Sequence, residues 1–345
     1  LNKVYISIDE CIPGMRVADK IYNKYWVTIV NENSVLDDGL IDKLKLMGIE
    51  HVRVYDDYDE PGENGSSEIF KKEYSQNMAI VKEVLHEISV GRNLDYGKVK
   101  QVSETICDKK VENRNIIENL NQIRDVDEYT YSHSVNVSLI SMLIAKWLKF
   151  DDEKTARIVQ AGLLHDIGKS QIPEEILNKK GPLTDEEFAE IKRHPLYGYR
   201  IAAEMGGIDK SVLLGILMHH EREDGTGYPL SAKGSQIHEF AKIIAVADIY
   251  DAMTSIRVYK EKQSPFEVFK LMEDQTFGVL DTKVVNAFLT NIAAYYIGET
   301  AQLSDGSVGE VVYINPRNIS KPVIKVKDKF IDLLKEPHMK VVALI

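Results

Sequence analysis

Apolar positions recur along this chain in three textures. Over residues 1 to about 58 they come in short runs. VYISI, WVTIV and HVRVY alternate apolar and polar residues as strands do, with IPGM, NENS and DDGL as turns between them. LIDKLKLMGI has helical spacing and should stop at Gly48. Residues 1–60 therefore read as a small α+β module. The stretch 59–67, DEPGENGSS, is polar and rich in Gly, Pro and Ser, as linkers are, and 61–110 reads as linker and connecting helices.

From about residue 68 the spacing becomes helical. Phe70, Tyr74, Met78, Val81, Leu85 and Ile88 form one stripe at steps of three and four, and Gly91 is a natural stop. Such a stripe can pair with a second copy, giving a homodimer, or pack on its own domain. Helix then dominates to about residue 297. Thr184-Asp-Glu-Glu187 is a capping box. Asp151, Asp152 and Glu153 supply the negative charge that a helix N-terminus favours. After Ile297-Gly298 the β texture returns in QLSDGSVGEVVYI, PVIKV and MKVVALI. The expected fold class is mainly α, with a helical domain over 111–297 and a small C-terminal β appendage over 298–345.

The chain has 345 residues, 44% of them hydrophobic, enough for one large core and one or two small ones. It contains no uninterrupted apolar run of about 18 residues, so no membrane helix is expected. Its opening, LNKVYISIDE, lacks the layout of a secretory signal, and a cytoplasmic protein is expected. Cys11 and Cys107, far apart, read as free thiols. A net charge of −11 argues against DNA or RNA polymers as partners. It leaves room for a small anionic substrate, because bound metal ions and a few basic residues can make one site locally positive.

Five polar clusters fall within the helical region: His133, His165-Asp166, His194, His219-His220 and Asp248. Each has apolar neighbours at helical spacing, as in AGLLHDIGK before Lys169 and FAKIIAVADIYDAM around Asp248. Imidazoles and carboxylates aimed at a core must be paired, neutralised or bound to metal. Any one of them alone is better explained as a satisfied core residue. Five clusters expected on separate helices are harder to explain that way and point instead to metal, and a set without thiolates suits iron, manganese, zinc or nickel. Neighbours on a helix point about 100° apart, so one pair can meet two objects. An aspartate such as Asp166 can bridge two cations. Metals about 3.5–4 Å apart are a known solution for phosphate-ester cleavage.

Lys169 lies three residues beyond Asp166 and could neutralise a phosphate oxygen, or simply favour a helix end. Gly225-Thr-Gly-Tyr-Pro229 is a turn by composition. Tyr228 in it could line a pocket or pack in a plain loop.

At these residues a family resemblance enters. His165-Asp166-Ile-Gly-Lys169 resembles the signature of the HD superfamily of metal-dependent phosphohydrolases. His219-His-Glu-Arg-Glu-Asp-Gly-Thr-Gly-Tyr-Pro229 resembles the motif that defines its HD-GYP subfamily. The resemblance runs from about 110 to 296. It implies an all-helical HD-type catalytic domain that hydrolyses a cyclic dinucleotide, cyclic di-GMP above all.

It also implies a ligand set: His133, in DEYTYSH, then His165, Asp166 as bridge, His194, His219, His220 and Asp248. Asp251 is implied to orient a ligand. Ser255-Ile-Arg257-Val-Tyr-Lys260 resembles the segment that follows, so Arg257 and Lys260 are implied nucleotide contacts alongside Lys169 and Tyr228. Val258 stands where the family usually has Pro, and plain surface charge is the other reading of that segment.

Two divalent ions are expected, iron or manganese first, with zinc and nickel chemically acceptable. Some members hold a third through a glutamate four residues before the first histidine. That position is Tyr129 here, with Glu128 one step off, so a third metal is not expected, and a linear dinucleotide is favoured over the mononucleotide as product. Cyclic GMP-AMP, a linear dinucleotide or a nucleoside phosphate are rival substrates. A sensing module that binds without turnover is a rival class, against which the full ligand set argues. Residues 1–60 are too short for a complete phosphorylatable receiver, and the upstream signal has no signature.

Overall fold

The computed structural model describes residues 3–22, 28–49, 51–55, 63–91, 95–107, 116–117, 120, 129–254, 264–275 and 278–345. The chain divides into two compact units, Leu1–Ser66 and Ser67–Ile345.

In the first unit, alternation does what it should. β1 (Lys3–Ser7) pairs antiparallel with β5 (His51–Tyr55), placing Ile6 opposite Val52 and Val4 opposite Val54. β2 (Arg16–Val17) takes the other edge of β5, and β3 (Ile21–Tyr22) pairs with β4 (Thr28–Val30). Val52 and Val54 point inward with Ile6, Val17, Leu36, Ile41 and Leu44. The last two come from α1 (Asp38–Leu46), whose first turn is capped by Asp37 accepting from Leu40 N at 2.7 Å. Gly48, at φ +74°, ends the helix as expected. β2 and β3 were not legible in sequence because alternation needs more than two residues to show.

The helix α2 (Glu63–Ser89), which lies in the second unit from Ser67 on, opens inside the stretch read as a linker. A helix anchored on the stripe gains one hydrogen bond for each residue added, so it extends back through weak formers. Phe70, Tyr74, Met78, Val81 and Ile88 are buried in the core of this same unit. Of the two destinations weighed for the stripe, the chain uses its own domain.

α3 (Tyr96–Cys107) follows, then α4 (Tyr129–Trp147) and α5 (Asp152–Leu164), which pack together at the centre. Every residue of α4 from His133 to Ala145 is buried. A helix buried on all sides must find partners for each polar side chain it carries. α6 (Glu174–Leu177), α7 (Asp185–Ile191), α8 (His194–Glu204), α9 (Lys210–Met218) and α10 (Glu239–Thr254) complete the surround. Asp151 caps α5, and Thr184 forms the expected capping box on α7.

α11 (Pro265–Gln275) and α12 (Thr282–Ala294) lead into a five-stranded antiparallel sheet. Its strands are β6 (Thr300–Leu303), β7 (Val308–Asn315), β8 (Asn318–Val326), β9 (Lys329–Asp332) and β10 (Val341–Leu344), in the order β10-β6-β7-β8-β9. Leu303, Val311, Ile324 and Val341 share the core of the helices. Glu273 of α11 accepts from Ile319 N at 2.8 Å and Ser320 Oγ at 2.5 Å, fastening β8 to that helix. The β segment thus closes the helical core.

Cys11 and Cys107 are free thiols. Among the described residues no helix is long and apolar enough to cross a membrane.

Candidate metal centre

Three of the candidate histidines are placed by one device. His165 and His219 follow the last residues of α5 and α9, and His194 follows α7 by three positions. Each gives its Nδ1–H to a carbonyl of the preceding turn: His165 to Gly162 O at 2.7 Å, His219 to Ile216 O at 2.7 Å, His194 to Ile191 O at 2.8 Å. Helix ends leave carbonyls without intrahelical donors, and the rings satisfy them. A carbonyl only accepts, so Nδ1 carries the proton. In the neutral ring Nε2 is then a lone pair facing the centre.

His133, in α4, is held differently. Its Nδ1–H meets Asp251 Oδ2 at 2.8 Å, and its Nε2 lies 3.2 Å from Asp248 Oδ1 and 3.2 Å from His165 Nε2.

Seven side chains thereby fall into two groups, each with donors close enough to hold one ion: His133, His165 and Asp248, and Asp166, His194, His219 and His220. Asp166 faces both. Its Oδ1 is 3.2 Å from His194 Nε2, and its Oδ2 is 3.3 Å from His165 Nε2 and 3.6 Å from His133 Nε2.

The donor set fits metal ions. His194 Nε2 and His219 Nε2 stand 3.3 Å apart. With each Nδ1–H committed to a backbone carbonyl, the two Nε2 atoms face each other, an approach that a cation between them relieves. Donors on one ion at about 2.0–2.2 Å lie at about this separation from one another. A proton is a poor substitute, since burial, then the neighbouring imidazoles, drives the His219 pKa well down.

Residues 115–284 match the family described as HD domain. The chain is an HD-domain protein. It is 35% identical over 252 residues to cyclic di-GMP phosphodiesterase PA4108 of Pseudomonas aeruginosa, covering 73% of this chain and 61% of that one. A cyclic di-GMP phosphodiesterase of Thermotoga maritima is 38% identical over 175 residues, 50% of this chain and 47% of the relative. A 3′3′-cGAMP-specific phosphodiesterase of Vibrio cholerae is 34% identical over 179 residues, 49% of this chain and 39% of the relative. The chain thus spans between about two fifths and three fifths of these relatives' own lengths. The solved HDG"Y"P protein Bd1817 of Bdellovibrio bacteriovorus shares the fold, with a TM-score of 0.55 at 15% identity over 83% of this chain and 98% of that one.

The electrostatics of the HD domain differ between its two groups. Burial alone would discharge His133, but Asp248 and Asp251 outweigh it and raise its pKa to about 10. Burial dominates at His220 and lowers it to about 4. Burial also opposes the charge on Asp166, yet the Lys169 ammonium and the His165 ring hold its carboxyl well below the usual range. Asp248 is held down in the same way, chiefly by His133.

The protons each group must shed follow from this. Below about pH 10 metal-free His133 is charged, so an ion entering its group displaces a proton. His219 and His220 are already neutral at pH 7.5 and release none. Calorimetric metal titrations at pH 7.5, in buffers of differing ionisation enthalpy, should therefore find about one proton released with one ion and fewer with the other. Affinity for the first should rise up to about tenfold per pH unit from pH 7 to 9. Equal release with both ions would contradict the assignment.

Lys169 lies in the 3-10 turn Ile167–Gln171 and binds Asp166 Oδ2 at 2.5 Å. Tyr228 stacks on His220 with ring centroids 4.7 Å apart, and its N–H donates to His220 O at 3.2 Å. Burial, then Asp166 and Asp248, raise the Tyr228 pKa, so its hydroxyl stays neutral. Asp127, Glu128, Arg257 and Lys260 lie outside the described residues.

Two contributors were not singled out from sequence. Glu221, buried, accepts from Leu230 N at 2.6 Å and Ala232 N at 2.9 Å, pinning the loop that carries Tyr228. A charged side chain directly after paired histidines was the available sign. Asn136, three residues after His133 and so on its face, donates from Nδ2 to Asp251 Oδ1 at 3.0 Å. An amide inside an otherwise apolar helix was the sign there.

Proposed function

We propose that this chain is a metal-dependent phosphodiesterase that hydrolyses a 3′–5′ phosphodiester of cyclic di-GMP to the linear dinucleotide. The observation that carries the reading is the convergence of seven imidazole and carboxylate groups into two ion-sized groups with Asp166 turned toward both. The names of the relatives support the substrate class.

His133, His165 and Asp248 would hold one divalent ion, and His194, His219 and His220 the other, with Asp166 bridging. Iron or manganese suits this set best. When bound, such a pair supplies Lewis acidity toward a phosphoryl oxygen and lowers the pKa of water. The chain's own residues do the rest. The Nδ1–H bonds to backbone fix the direction of each Nε2. Asp251 orients His133. The Lys169 ammonium, the cation nearest Asp166, offsets negative charge developing on the phosphoryl oxygens. Tyr228 walls the site on the His220 side and offers a neutral hydroxyl to the nucleotide. Arg257 and Lys260 are proposed nucleotide contacts on sequence grounds.

The test is a panel of cyclic di-GMP, 3′3′-cyclic GMP-AMP and their linear products, incubated with iron- or manganese-loaded protein and resolved by chromatography. Cyclic di-GMP is expected to disappear fastest and to yield the linear dinucleotide. Faster loss of cyclic GMP-AMP would move the substrate to that nucleotide, a reading favoured by the Vibrio cholerae relative. Binding without any turnover by fully loaded protein would overturn the enzyme reading.

A further inference from the structure

Tyr74 enters the sequence as one member of an apolar stripe, yet its hydroxyl is spent on a polar partner deep in the core. It donates to Asn136 Oδ1 at 2.8 Å. Asn136 Nδ2 donates to Asp251 Oδ1 at 3.0 Å. Asp251 Oδ2 accepts from His133 Nδ1 at 2.8 Å. Each of the four residues is at most 5% exposed. The chain of bonds crosses three helices, from α2 through α4 to α10 and back to α4.

Its polarity is fixed end to end. An ionised Asp251 only accepts, so the amide of Asn136 must turn its nitrogen toward it. The amide oxygen then faces away and needs a donor, which the Tyr74 hydroxyl is. With that donor in place the amide cannot flip, because a flip would set its oxygen against the Asp251 carboxylate. A fixed amide holds the carboxylate, and a fixed carboxylate sets the rotation of the His133 ring. That rotation decides where Nε2 points, and it points at Asp248 and His165. Groups one bond removed from a metal ligand tune its affinity about 10- to 100-fold.

We propose that Tyr74 is a positioning residue for the metal group of His133, His165 and Asp248, acting through Asn136 and Asp251. The proposal rests on His133 being a metal ligand, not on the identity of the substrate.

The test is titration of metal-free protein with Mn(II) alone, read by electron paramagnetic resonance and calorimetry, for wild type, Tyr74→Phe, His133→Ala and the double variant. The phenylalanine ring can keep its place beside Phe70, whose ring centroid is 6.1 Å away. Tyr74→Phe is expected to weaken one of the two ions about fivefold or more and to leave the other unchanged. In the His133→Ala background the same change should have no further effect on metal. A purely structural role would lower thermal stability with both affinities intact, or weaken both ions alike, and either result overturns the proposal. So would an equal loss in the His133→Ala background. Wild-type binding of both ions by His133→Ala would remove the premise itself. Should Tyr74→Phe not fold, Asn136→Ala cuts the next link and is expected to show the same loss confined to one ion. Two unchanged affinities there would count as refutation.

Discussion

Asp166→Ala is expected to abolish turnover, by about a thousandfold or more, and to strip metal from both groups. Among the described residues this carboxylate is the side chain with an oxygen toward each group, Oδ1 toward His194 and Oδ2 toward His165 and His133. Its loss takes away a shared anionic donor and leaves the group of His194, His219 and His220 without its carboxylate. A thousandfold change is about 4 kcal/mol of transition-state stabilisation, within the several kcal/mol that metal assistance contributes to phosphate-ester cleavage. Metal content by elemental analysis and turnover of cyclic di-GMP should fall together. Full activity with two ions retained would refute the bridging role.

The second large effect is steric. Gly168 sits where the 3-10 turn after Asp166 crosses the start of α8. A Cβ built there would stand 2.0 Å from His194 O and 2.4 Å from Gly198 N. Both are backbone atoms, so no flexible side chain can give way. Gly168→Ala should therefore force α8 from the turn, at a cost of about 3 kcal/mol in stability. Because His194 is the first residue of α8, the same shift should carry its Nε2 from Asp166 and lower metal occupancy. Denaturant unfolding and metal analysis check the two halves. Gly39→Ala is the control, since its Cβ meets only Asp37 Oδ1, at an ordinary 3.5 Å. A Gly168→Ala protein as stable and as metal-rich as wild type would show that the contact relaxes freely.

Much of the architecture was legible because its signals are local. The capping box at Thr184, the acidic helix start at Asp151, Asp152 and Glu153 and the stop at Gly48 each depend on a few adjacent residues, and all stand as read. Helical texture between 68 and 297 needed only apolar spacing. The candidate ligands were legible for a similar reason: imidazole or carboxylate on an apolar face is an anomaly visible in a short window. The linker reading of 59–67 went astray over the residues of α2, because propensity there yields to a helix anchored further on. Glu221 and Asn136 left faint local signs. Tyr74 left none, since its partner is 62 residues away.

By itself, then, the sequence determined which segments are helical, which faces are apolar, and which residues carry chemistry able to hold a cation. Tertiary structure alone decided that the α2 stripe closes on its own domain, that the terminal strands seal the helical core, and that the candidate ligands divide into two groups around one aspartate. Periodicity states that a face must be buried, but not against what. Pairings between segments dozens of residues apart are settled when helices pack, by which side chains then come within bonding distance.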